Sequence, residues 1–239
     1  MKALANRIGR DLLSFQNPRV VSPPGIVMPD GRRNLIVATP MRSGTHVLID
    51  ALLNNIPALR RRPLYIDLDQ FMIRRDRFGA DHGPLQDRAG YLVKTHYPIL
   101  HREPEGDAAE IEALARDGFV VTVRRPLASI VGSLEKWASV ESGSAKLPAL
   151  IAAAETNTAA CRAFWDPRAD MVLDFAELFD PEAMARHVAR IAEEIGAVPA
   201  PRYRHPPRKS QRSRIYVDKA LTRLLGRRAP RINTTIRVS

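Results

Sequence analysis

Cysteine is almost missing from this chain: Cys161 stands alone among 239 residues. An internal disulfide and a cysteine-built metal cluster are therefore excluded. Long apolar runs are missing as well, and no stretch approaches the ~18 residues that a membrane-crossing helix needs. Arg7, Arg10 and Asp11 break the apolar residues of the N-terminal segment, which lacks the uninterrupted core of a secretory leader. These absences set the expectation of a cytoplasmic protein, with peripheral attachment to a membrane left open. Acid is scarce at one end only. From Pro201 to Ser239 there are twelve Lys or Arg and one acid, Asp218. The preceding 200 residues hold 25 basic and 25 acidic side chains, so the whole net charge of +11 sits in that segment. Such a tail meets an anionic surface or stays solvated. Aromatics are sparse there, with Tyr203 and Tyr216 alone, so stacking on nucleic-acid bases is poorly supported.

What is present is enough apolar residue, 45%, to build a core. A helix-like N-terminal stretch ends at Pro23-Pro24-Gly25 and Pro29-Asp30-Gly31. Leu35-Ile36-Val37-Ala38 then reads as a buried strand, and Thr45 to Asn55 has apolar residues at helical spacing. Residues 57–90 read as a long excursion rich in Arg, Asp, Gly and Pro, with a short strand at Leu64-Tyr65-Ile66. Strands follow at Tyr91 to Lys94, Phe119 to Val123 and Met171 to Asp174. Helices are predicted over Asp107–Arg116, from Pro126 to about Trp137, over Leu147–Trp165 and over Pro181–Ile195. Strands alternating with helices predict an α/β fold around a mostly parallel central sheet.

Between the first strand and its helix stands Pro40-Met41-Arg42-Ser43-Gly44-Thr45-His46. A glycine-containing turn that opens a helix offers backbone N–H groups and the positive end of the helix dipole to an anion. Arg42 adds a permanent charge, and Ser43, Thr45 and His46 add side-chain donors. The loop is not a Walker A sequence, because no Gly-Lys-Ser/Thr closes it. A second cluster, Lys94-Thr95-His96-Tyr97-Pro98, follows a strand, where open α/β sheets place ligands. Histidine there suits proton transfer at neutral pH. A third, Val123-Arg124-Arg125-Pro126, ends the most apolar strand and leads into a helix carrying Ser129 and Ser133.

Taken in this order, the three clusters resemble those of the sulfotransferases that use 3'-phosphoadenosine 5'-phosphosulfate (PAPS). The first is similar to that family's 5'-phosphosulfate loop, in the Arg form of carbohydrate and Nod-factor-type enzymes. The cytosolic branch has a Trp shortly after the loop where this chain has Val47. Lys94-Thr95-His96-Tyr97-Pro98 resembles the cytosolic enzymes' Lys-Thr-His-x-Pro segment, whose His is the base. Arg124 and the helix after Pro126 resemble the 3'-phosphate site; the usual Ser position falls on Gly132, with Ser133 one residue later. Looser likenesses are Leu173 to Leu178, similar to a Tyr-Glu-Asp-Leu junction, and Arg208-Lys209-Ser210, similar to a C-terminal 3'-phosphate contact.

The resemblance spans Asn34 to Ile195 and implies a P-loop-NTPase-like sulfotransferase fold. It divides the chain into an N-terminal extension (1–33), a catalytic domain (34–200) and a basic C-terminal segment (201–239). It implies transfer of a sulfuryl group from PAPS to a hydroxyl or amine of a small-molecule, carbohydrate or lipid-linked acceptor, without a metal. The implied catalytic residues are His96, Lys94 and Arg42. Arg42, Ser43, Gly44, Thr45, His46, Arg124, Ser133 and Arg208 would hold PAPS. Two other readings stay open at this point: a nucleotide-dependent kinase-like enzyme, and a basic module binding nucleic acid or an anionic membrane through residues 201–239.

Overall fold

The computed structural model describes residues 33–59, 65–69, 90–98, 107–141 and 147–205. The sequence readings for the N-terminal extension, for most of the 57–90 excursion and for Arg208 with the rest of the basic segment lie outside them. The elements run β1 (Leu35–Ala38), α1 (Thr45–Asn55), β2 (Ile66–Asp67), β3 (Leu92–Thr95), α2 (Asp107–Asp117) and β4 (Phe119–Arg124). Then follow α3 (Leu127–Glu141), α4 (Leu147–Trp165), β5 (Met171–Asp174) and α5 (Pro181–Glu194). The first strand and its helix lie where the sequence predicts them; β3 sits one residue later, and α3 runs four residues past Trp137. The short strand predicted at Leu64-Tyr65-Ile66 appears as β2, displaced towards Asp67.

The strands form one parallel sheet in the order β2-β3-β1-β4-β5. β1 is central and fully buried, as an uninterrupted apolar run requires in a sheet covered on both faces. One face carries Leu35, Val37, Leu92, Val121 and Val123 against α1 (Leu48, Ile49, Leu52) and α5 (Met184, Val188, Ile191). The other carries Ile36, Ala38, Val93 and Val120 against α2 (Ile111, Leu114) and α4 (Cys161, Trp165). α3 packs on α4 through Ile130, Leu134 and Ala154. The result is helices on both faces of a parallel sheet, an α/β fold.

Local chemistry accounts for the start of α5. Asp180 caps α5 by accepting from the N–H groups of Glu182 (2.9 Å) and Ala183 (3.3 Å), with Pro181 in the first turn. A cap of this kind contributes about 1 kcal/mol. The chain after α5 stays docked to the domain. Ala200 N–H donates to Asn55 O (2.7 Å), and Arg204 N–H donates to Asn55 Oδ1 (2.6 Å).

The strand order also places the site. From β1 the chain turns to β2 and back to β3 on one side, then crosses to β4 on the other. The helix after β1 covers one face, and α2 and α4 cover the opposite face. Such a switch opens a crevice beyond the carboxyl ends of the strands. All three sequence clusters follow β1, β3 and β4, so all three reach that edge.

Candidate functional site

The loop after β1 is built to present backbone donors. Arg42 has φ 63°, in the left-handed region, and Gly44 follows with φ 91°. For a non-glycine residue such as Arg42 that conformation costs roughly 1–2 kcal/mol, a strain typical of binding loops. Gly44 is the N-cap of α1, and no side chain caps the helix there. Val47 and Leu48 N–H both donate to Gly44 O (2.9 and 3.1 Å), and the helix start carries the positive end of the dipole. Glycine is also required for space. A Cβ at 44 would lie 2.6 Å from Leu178 Cδ1 and 3.0 Å from Phe175 Cε2.

Around this turn, Thr39 and Thr45 share a hydroxyl–hydroxyl bond of 2.6 Å. Ser43 is wholly buried, and its Oγ has no hydrogen-bond partner among the described residues. His46 sits half-buried in the first turn of α1. An orphaned buried hydroxyl beside an uncapped helix start is a cradle short of an acceptor-rich ligand. The residues present therefore fit an anionic phosphate or sulfate group.

The structure brings His96 onto this loop. Its Nδ1 lies 2.7 Å from Thr39 O. A carbonyl only accepts, so Nδ1 carries the proton and Nε2 keeps the lone pair. The backbone of His96 is gripped from both sides. Its N–H donates to Asp69 Oδ1 (2.9 Å) and Oδ2 (3.0 Å), while its carbonyl accepts from Asn157 Nδ2 (3.0 Å). Asn157, buried on α4, also donates to Pro98 O (2.7 Å) and accepts from Met41 N–H (3.4 Å). One side chain thereby ties the phosphate-loop candidate to the histidine segment. Lys94 is buried, with its ammonium 3.0 Å from Asp69 Oδ2.

Burial pushes the His96 imidazole down to about 4, and the charges of Lys94 and Arg42 act in the same direction. Asp69 and the Thr39 bond oppose them. Burial alone would raise the Asp69 carboxyl, but Lys94 and His96, with the bonds from His96 N–H and Thr95, hold it below the usual range. Because the folded chain binds the His96 proton more weakly than the unfolded chain, acid favours unfolding. The stability loss begins below pH 6.5 and is complete below about pH 4. It amounts to at most about 3 kcal/mol. Urea denaturation at pH 7 and pH 4.5 checks this, with His96→Asn losing clearly less stability across the interval than the wild type. Equal losses would show that His96 is not held neutral.

The third cluster divides. Arg124 is exposed at the end of β4 and makes a loose ion pair with Asp166 at 3.7 Å, of a kind that contributes little in solvent. Arg125 turns inward. Its guanidinium donates to Arg42 O (2.6 Å) and Ser129 Oγ (2.9 Å) and lies 3.8 Å above the Phe175 ring. Ser133 meets Arg42 rather than Arg124, accepting from Nε (3.2 Å) and Nη2 (3.1 Å). A Cβ at position 132 would find nothing within 4 Å. Phe175 packs on the core and also floors Gly44 and Arg125.

Thr39, Asp69 and Asn157 belong to this arrangement beyond the residues picked from sequence. A polar Asn-Thr pair within the Ala-rich stretch of α4 was a readable signal for Asn157. Asp69 carries no such mark, since its partners lie 25 to 27 residues away. No family model matches the chain, and a comparison with curated proteins finds no match.

Proposed function

We propose that this protein is a PAPS-dependent sulfotransferase, built on a P-loop-like version of the α/β fold. The observation that carries the reading is the 2.7 Å bond between His96 Nδ1 and Thr39 O, which seats a histidine with a bare Nε2 on an anion-binding turn. Base and anion cradle are the two parts that in-line transfer to a hydroxyl or amine needs.

Arg42, the N–H groups at the start of α1, Ser43, Gly44, Thr45 and His46 would hold the 5' end of the donor. Arg124, with Ser133 close by the loop, would receive its 3'-phosphate. When bound, the donor supplies the sulfuryl group and a stable phosphate leaving group. Arg42 and the loop dipoles stabilise negative charge growing on that leaving group. His96 takes the acceptor proton at Nε2. Lys94, held by Asp69, adds positive charge beside the base. Anionic charge next to Arg42 offsets one of the cations that depress His96, so the imidazole becomes a stronger base in the loaded site. The acceptor is a hydroxylated or amino compound, carbohydrate or lipid-linked; the basic segment would hold the enzyme at an anionic membrane surface.

Calorimetric titration with 3',5'-adenosine bisphosphate, against AMP and ATP with Mg, tests the reading. The expected result is binding that needs the 3'-phosphate and weakens about tenfold or more in Arg124→Ala, the size of one lost charge-assisted contact. Tighter binding of ATP with Mg would replace this reading with a kinase-like one. No binding of any nucleotide would shift attention to the basic segment.

A further inference from the structure

Asp69 comes from the chain just beyond β2, the edge strand that pairs with β3 through Ile66↔Val93 and Asp67↔Lys94. That pairing delivers a carboxylate to the carboxyl end of β3, where it is buried to 5% exposure. Its two oxygens accept from Lys94 Nζ (3.0 Å), from Thr95 Oγ1 (2.7 Å) and from His96 N–H (2.9 and 3.0 Å). Thr95 Oγ1 in turn accepts from Tyr97 N–H at 2.9 Å. One carboxylate therefore orders four successive residues around the histidine. A buried ion pair is weak grounds for stability, since desolvation offsets much of the attraction. Converging hydrogen bonds on a backbone amide, by contrast, fix where the next side chain points.

We propose that Asp69 is the positioning residue of this site, holding His96 so that its ring stays on Thr39 O with Nε2 towards the reacting centre. The inference rests on the reading of His96 as the base, and it assigns the role to a residue with no direct part in the chemistry.

The experiment uses the full chain labelled with 15N in the histidine rings, with Asp69→Asn as the variant. In the wild type at pH 7, His96 should show one tautomer, protonated at Nδ1, and an amide protected from hydrogen exchange. In Asp69→Asn the His96 ring should average between tautomers. Affinity for 3',5'-adenosine bisphosphate should stay within about threefold, while kcat for sulfuryl transfer falls about 100-fold, the scale of an ångström-sized misplacement. A single tautomer retained in the variant overturns the proposal, and so does an averaged ring with unchanged kcat. Should Asp69→Asn fail to melt cooperatively, the double variant Asp69→Asn/Lys94→Met removes both charges together and is judged by the His96 tautomer and amide exchange alone, because Lys94 belongs to the catalytic set. A freely exchanging His96 amide in the wild type overturns the proposal whatever the variants do. If the wild type transfers no sulfuryl group, the function reading fails, while the ring and amide measurements still judge Asp69.

Discussion

Replacing His96 with alanine should lower sulfuryl-transfer kcat by about 10²- to 10⁴-fold, the range that a positioned general base supplies. Binding of 3',5'-adenosine bisphosphate should change by less than about threefold, which is under 1 kcal/mol. The separation follows from geometry. Nδ1 is committed to Thr39 O, so the ring offers a ligand only its Nε2, an acceptor when neutral. The proposed anion cradle consists of Arg42, the start of α1 and the loop hydroxyls, and alanine at 96 removes none of them. Single-turnover kinetics and calorimetry on the same preparation give both numbers. Loss of nucleotide binding together with turnover would make His96 an anion ligand and sink its role as base.

The largest effect on stability should come from Trp165. It is wholly buried, among the largest fully buried side chains, and its indole Nε1–H donates to Tyr97 O at 2.8 Å. Phe164 stands edge-on between the Trp165 and Tyr97 rings, with centroids 5.0 and 4.9 Å away. Truncation to alanine should cost about 3–5 kcal/mol through lost transfer energy and the cavity left behind. That is a large share of the 5–15 kcal/mol typical of a domain. Trp165→Phe restores most of the volume but removes the indole hydrogen bond to Tyr97 O, and should cost about 1 kcal/mol. Urea midpoints for the two variants test this ordering. A loss below about 1 kcal/mol in Trp165→Ala would mean that the α4 side of the core is not packed as described.

Trp165 and Asn157 also show why α4 matters to a site made of loops. Both lie on that helix, and both bond carbonyls of the 96–98 segment. The histidine loop is thus anchored to a helix in the core, while Asp69 holds it from the sheet edge. Loops fixed by rigid elements keep reacting groups in register.

Much of this was legible from the order of residues alone. The strand at 35–38, the helix at 45–55 and the long helix to Trp165 were marked by runs and periodicities that depend on near neighbours. So was the turn of residues 40–46, because turn, glycine and helix start are contiguous. The sequence by itself also determined that Lys94, Thr95 and His96 end a strand, and a parallel sheet then puts every strand end on one edge. Only the tertiary structure decided which arginine does what. Arg124 and Arg125 are adjacent, yet one points to solvent and the other grips Arg42 O, because successive side chains at a strand end leave in opposite directions. It likewise turned Ser133 towards Arg42 and brought Asp69 and Asn157, 88 positions apart in the chain, onto the same histidine. Those contacts are set by strand order and helix packing, which no local pattern of residues encodes.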